Sequence, residues 1–189
     1  MENRNIKKRL GMWAVGIATL LLIPLVLTLL GSGVDGDGWR WTPSDFVAMS
    51  VLLFGSALTY ELISRNMGSV AYRTAVGVGV AASLLLVWMN GAVGIIGSED
   101  NVANAMYFGV ILIGAFGGII SRFKSSGMVW AMFAMALAQA LVPIITLIFW
   151  PQISWGEAGV LGVFILNSFF VVLFAGSASL FQRASEQGI

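Results

Sequence analysis

The chain has 189 residues, of which 58% are apolar and only 10% charged, and its formal net charge is +1. A soluble domain carries about 25% charged residues, and so few polar groups cannot cover a surface in water. Composition therefore excludes a soluble enzyme, a disordered chain and a secreted disulfide scaffold, and leaves an integral membrane protein.

A membrane-crossing helix needs about 20 mostly apolar residues. Six stretches meet this requirement, near residues 11–31, 45–64, 71–97, 104–121, 128–150 and 158–181. Their apolar runs are continuous rather than alternating, which predicts helices and not the strands of an outer-membrane barrel. The expected fold is all-α: a single transmembrane domain over residues 1–189, with six helices in three hairpins. Lys7-Lys8-Arg9 before the first stretch resembles the charged start of a signal peptide. The apolar run that follows is too long and ends in no A-x-A site, so an uncleaved helix is expected. Pro24 and Pro143 each remove a backbone hydrogen bond and should kink the first and fifth helices.

Basic residues set the orientation. With the N-terminus inside, the cytoplasmic pieces hold Arg4, Lys7, Lys8, Arg9, Arg65, Arg73, Arg122, Lys124 and Arg183. The outer pieces hold only Arg40, together with Asp35, Asp37, Asp45, Glu99, Asp100 and Glu157. Both termini are therefore expected in the cytoplasm. Trp39, Trp41, Trp150 and Trp155, with Tyr107 slightly deeper, read as an aromatic belt at the outer boundary. Thr42-Pro43-Ser44-Asp45 reads as a loop and N-cap before the second helix.

Chemistry-bearing residues are sparse. With no Cys and no His, the chain has no disulfide, no thiolate or imidazole ligand for zinc or an iron–sulfur cluster, no His-ligated haem and no Cys- or His-based catalysis. We expect no metal site, no cofactor and no enzymatic activity. The near-zero net charge carries no nucleic-acid signature. Ionisable residues inside a span usually mark a path, and Glu61, one turn before Arg65 near the cytoplasmic end, is the candidate: it is either a proton or cation carrier or half of an interfacial ion pair with Arg65, and the second reading is favoured. Three amides lie deeper: Asn90, Gln139 and Asn167. They either line a polar cavity or hydrogen-bond across helices, and the second reading is favoured. Between the third and fourth helices, Glu99, Asp100, Asn101 and Asn104 form either an acidic outer mouth or a helix cap, the cap being favoured.

Helix association in lipid rests on close packing and polar contacts. Gly114-x-x-x-Gly118 with Gly117, the Ala131, Ala134 and Ala138 face, and Gly91, Gly94 and Gly97 are the small-residue surfaces available. They serve packing within the bundle in preference to a dimer seam.

Trp41-Thr-Pro-Ser-Asp-Phe46, Tyr60-Glu-Leu62, the run from Val93 to Asn101 containing Gly-Ser-Glu-Asp-Asn, Met106-Tyr-Phe-Gly109 and Ala136-Leu-Ala-Gln-Ala-Leu141 resemble a family of small bacterial integral membrane proteins with no established activity. The resemblance covers most of the chain. It implies a bacterial inner membrane and carries no reaction, substrate or partner. The family has Pro where this chain has Val102, and Pro there would support Asn101 as an N-cap. The function expected from the sequence is structural or accessory, acting through the lipid bilayer and through a membrane-protein partner or a homo-oligomer. A small oligomeric transporter or channel for a small solute or cation is the alternative.

Overall fold

In the computed structural model every regular element among the described residues is helical. The structure describes residues 2–30, 41–65 and 69–187, with residues 2–8 described by their backbone alone. Asp35, Asp37, Trp39 and Arg40, and the side chains of Arg4, Lys7 and Lys8, lie outside the described residues. The helices are α1 (Glu2–Leu30), α2 (Pro43–Ser64), α3 (Val70–Ala92), α4 (Ala105–Ile120), α5 (Ser125–Phe149) and α6 (Gly159–Glu186). A single 3-10 turn, Val102–Asn104, leads into α4. All six helices contain a stretch long and apolar enough to cross a membrane.

Contacts divide the chain into two units, Met1–Thr59 and Tyr60–Ile189. In the first, α1 continues through Pro24, and the start of α2 is a reciprocal cap. The Asp45 carboxylate accepts from the Thr42 N–H at 2.7 Å and from the Thr42 hydroxyl at 2.8 Å, while the Asp45 N–H points back to the Thr42 side chain at 3.4 Å. Pro43 takes the first helical position, where its missing N–H costs nothing. The helix thus begins at Pro43, two residues before the expected Asp45. The Trp41 N–H donates to the Thr28 hydroxyl at 3.3 Å and ties the two helices of this unit. Apolar side chains such as Leu20, Ile23, Leu29, Val47 and Val51 are exposed along both helices.

The second unit carries α3 to α6 and the core. Its buried face on α5 is Met128, Ala131, Met132, Met135, Ala136, Gln139, Val142, Pro143 and Thr146, the three-and-four spacing of one helical side. Against it α4 lies close because its facing residues are glycines. A Cβ on Gly117 would sit 2.6 Å from the Ala131 Cβ, and one on Gly114 would strike the Met135 sulfur. The small-residue motif of α4 is therefore filled from within the chain. Of the three alanines expected on one packing face of α5, only Ala131 is in this seam; Ala138 is half-buried and Ala134 is exposed, because the side facing α4 runs through Ala131 and Met135. Phe170, Phe174 and Phe181 of α6 are fully buried, and Tyr72 stands edge-on to Phe181 with ring centroids 5.1 Å apart.

Two bonds close the end of this unit where α3 begins. The Tyr72 hydroxyl donates to the Phe123 carbonyl at 2.6 Å, and the Ser69 hydroxyl donates to Gln187 Oε1 at 3.0 Å. The α4–α5 turn places both Arg122 and Phe123 in the left-handed region, with φ of 52° and 57°, an uncommon conformation for non-glycine residues. The Tyr72 bond falls on this turn.

Gly117→Val should destabilise the bundle by about 1–3 kcal/mol, the usual cost of overpacking. Gly109→Ala, where an added Cβ meets nothing within 4 Å, should be neutral or slightly stabilising. Thermal unfolding of both variants in the same detergent checks this.

Candidate functional site: a neutral polar core

The third helix was expected to run to Gly97, but α3 stops at Ala92. Gly94 and Gly97 turn the chain with φ of 71° and 74°, a region open to glycine and costly for other residues. This early stop creates a loop over residues 93–101. Gly97 also fits where no side chain could: a Cβ there would lie 2.5 Å from the Ser154 carbonyl, and one on Gly156 would lie 2.9 Å from the Gly97 carbonyl. The α3–α4 and α5–α6 loops therefore meet backbone to backbone.

Asn104 holds the loop in shape. Its Oδ1 accepts from the Ile96 N–H at 2.9 Å, and its Nδ2 donates to the carbonyls of Ile96 at 3.2 Å and Ser98 at 2.7 Å. Its own carbonyl accepts from Asn90 Nδ2 at 3.1 Å. Asn104 occupies the N-cap position of α4 but makes no capping bond, because its side chain is spent on the loop. The capping role falls to Asn101, whose Oδ1 accepts from the Ala103 N–H at 3.0 Å and starts the 3-10 turn at Val102. Its Nδ2 reaches the Ser154 carbonyl at 3.4 Å. Glu99 and Asp100 are exposed at the surface of the loop. The four residues grouped by the sequence thus separate into a buried clamp, a cap and two surface carboxylates.

One turn into α4 a second cluster joins three helices. Asn167 of α6 donates through Nδ2 to its own helix at the Val163 carbonyl, 2.8 Å, and to the Tyr107 hydroxyl of α4, 3.0 Å. Its Oδ1 accepts from Gln139 Nε2 of α5 at 2.9 Å and lies 3.2 Å from the same Tyr107 hydroxyl. The amide orientations follow from the acceptors. The Val163 carbonyl can only accept, so Asn167 must turn Nδ2 toward it. Oδ1 then faces Gln139, which must offer Nε2. Gln139 Oε1 is left buried with no donor, and so is Asn90 Oδ1. Every side chain in this cluster is uncharged.

One other expectation meets a different outcome. Tyr107 does not belong to an aromatic belt: it is 1% exposed and is a member of the core cluster. Its place three residues after Asn104 put it on the same helix face, the signal by which the sequence could have joined them. Glu61 is buried at 4% exposure and Arg65, one turn on, is exposed. The sequence also did not single out Ser177, whose hydroxyl crosses from α6 to the Ala75 carbonyl of α3 at 2.8 Å. Among the described residues no group of three or more His, Cys, Asp or Glu side chains converges as a metal site.

Comparison of the chain with protein-family models, with curated proteins and with solved structures finds no match.

Asn104→Ala should lower stability by about 1–3 kcal/mol, since it strands the buried Ile96 N–H. Glu99→Gln and Asp100→Asn, on exposed carboxylates, should stay within about 0.5 kcal/mol. Asn167→Leu should cost more than Tyr107→Phe, because Asn167 bonds all three partners while the phenol bonds only Asn167. Unfolding midpoints of the five variants rank these costs.

Proposed function

We propose that this protein is a multi-pass component of the bacterial inner membrane with a structural or accessory role, exerted through helix and lipid contacts and not through catalysis. The observation that carries this reading is how the deep polar side chains are used. Tyr107, Gln139 and Asn167 are each no more than 2% exposed and are bonded to one another across α4, α5 and α6. Interhelical hydrogen bonds of this kind are adhesive, worth about 0.6–1.7 kcal/mol each in a bilayer. Groups lining a solute path would face a cavity rather than each other.

In this reading the chain crosses the membrane six times as three hairpins with both termini in the cytoplasm. Supporting it, Arg73, Arg122, Lys124 and Arg183 sit toward the end of the α3–α6 unit where Tyr72 meets Phe123. Glu99, Asp100 and Glu157 sit toward the end where the 97 and 154 backbones meet. That is the distribution the positive-inside rule associates with a cytoplasmic and an outer face. The resemblance noted above supports a bacterial inner membrane. The exposed apolar side chains of α1 and α2 supply surface for lipid, for a membrane-protein partner or for a second copy.

The absence of cysteine makes orientation directly measurable. In intact cells, Asp100→Cys should react with a membrane-impermeant maleimide and Ser126→Cys should react only after the membrane is opened. Reversed labelling would overturn the orientation. For the role, purification from native membranes in mild detergent should yield a stoichiometric partner or a defined oligomer, and proteoliposomes should pass no more solute or cation than protein-free vesicles. Flux that Glu61→Gln abolishes would replace the accessory role with transport.

A further inference from the structure

Gln139 stands at the meeting point of two independent shortages of donors. The first is its side chain: Nε2 is committed to Asn167 Oδ1, and Oε1, in a residue 0% exposed, has no partner. The amide cannot be reversed to cure this, because Oε1 would then face Asn167 Oδ1, whose orientation the Val163 carbonyl dictates. The second is its backbone. Pro143 lies inside α5, four residues on, and lacks the N–H that would close the helical bond to the Gln139 carbonyl. One fully buried residue therefore presents two acceptor oxygens, each deprived of its ordinary donor.

We propose that Gln139 is a buried water-binding residue, and that water at the Pro143 position of α5 donates to it inside the α4–α5–α6 core. The ligand must donate hydrogen bonds, because the unmet groups are acceptors. It must be neutral, because no side chain of the cluster carries a charge to offset an ion, and an uncompensated buried charge is prohibitive. Two oxygens also fall well short of the 6–8 that a hard cation such as Ca²⁺ takes. Water satisfies both conditions, and ordered water is a recognised way to re-satisfy carbonyls freed by proline in membrane helices. The surroundings are polar, since the Tyr107 hydroxyl and Gln139 Nε2 both reach Asn167 Oδ1. Asn90 Oδ1, 14 residues before the clamp residue Asn104 whose carbonyl Asn90 bonds, repeats the pattern of a buried acceptor without a donor.

The test is magic-angle-spinning NMR of the full isotopically labelled chain in lipid bilayers, reading transfer of polarisation from water protons to side-chain carbons. Transfer to Gln139 Cδ is expected, with loss of the signal after exchange into D2O, while the buried methyls of Met135 and Val163 stay dark. No transfer to Gln139 in H2O overturns the proposal. Transfer that survives full D2O exchange also overturns it, since the donor is then a non-exchanging molecule. Pro143→Ala restores an N–H to the Gln139 carbonyl and should reduce the transfer; an undiminished signal overturns the part assigned to the proline. Should that variant not fold, the outcome for the unaltered chain decides the water site by itself.

Discussion

Helices in a bilayer gain nothing by hiding apolar side chains from lipid, so they stay together only where backbones approach closely or polar groups bond across the gap. In the α3–α6 unit both devices meet on α5. Toward α4 it offers Ala131 and Met135 to Gly117 and Gly114. Toward α6 it offers Gln139 to Asn167. Close approach supplies dispersion contacts along the seam, and the amide pair supplies direction, since a hydrogen bond of 2.9 Å tolerates little sliding of one helix past the other.

The ends of the unit are tied by different means. At one end glycines let two loops pass within backbone contact, and Asn104 fixes the shape of the first loop through three bonds to residues 96 and 98. At the other, a left-handed pair, Arg122 and Phe123, makes the turn, and the Tyr72 hydroxyl holds the Phe123 carbonyl. Backbone polar groups in these connections thus find partners within the protein. Near hydrocarbon that is a requirement, because each one left open costs several kcal/mol.

Within the apolar core of this unit the cluster of Tyr107, Gln139 and Asn167 is polar but neutral. Its amides and phenol bond to one another, which holds three helices in register. Glu61, also in the chain's second unit, is a buried acid.

Six helices were legible in the sequence because hydrocarbon imposes a simple demand: about 20 continuous apolar residues per crossing. The stretch from Thr42 to Asp45 announced its cap because the donors and acceptors involved are three residues apart. Gln139 and Asn167 were recognisable as deep amides for the same local reason, their position within apolar runs. The sequence by itself also left open whether the glycines of α4 face the chain's own helices or a second copy, and whether the amides meet. Tertiary structure decided both. It set Gly117 against Ala131 and brought Tyr107, Gln139 and Asn167 together from three helices. It also divided the Glu99–Asn104 group into surface, cap and clamp. Length and hydropathy are sums over neighbouring residues and survive in one dimension. Which side of a helix meets which partner depends on rotation about its axis, and rotation is settled only when all the helices pack at once.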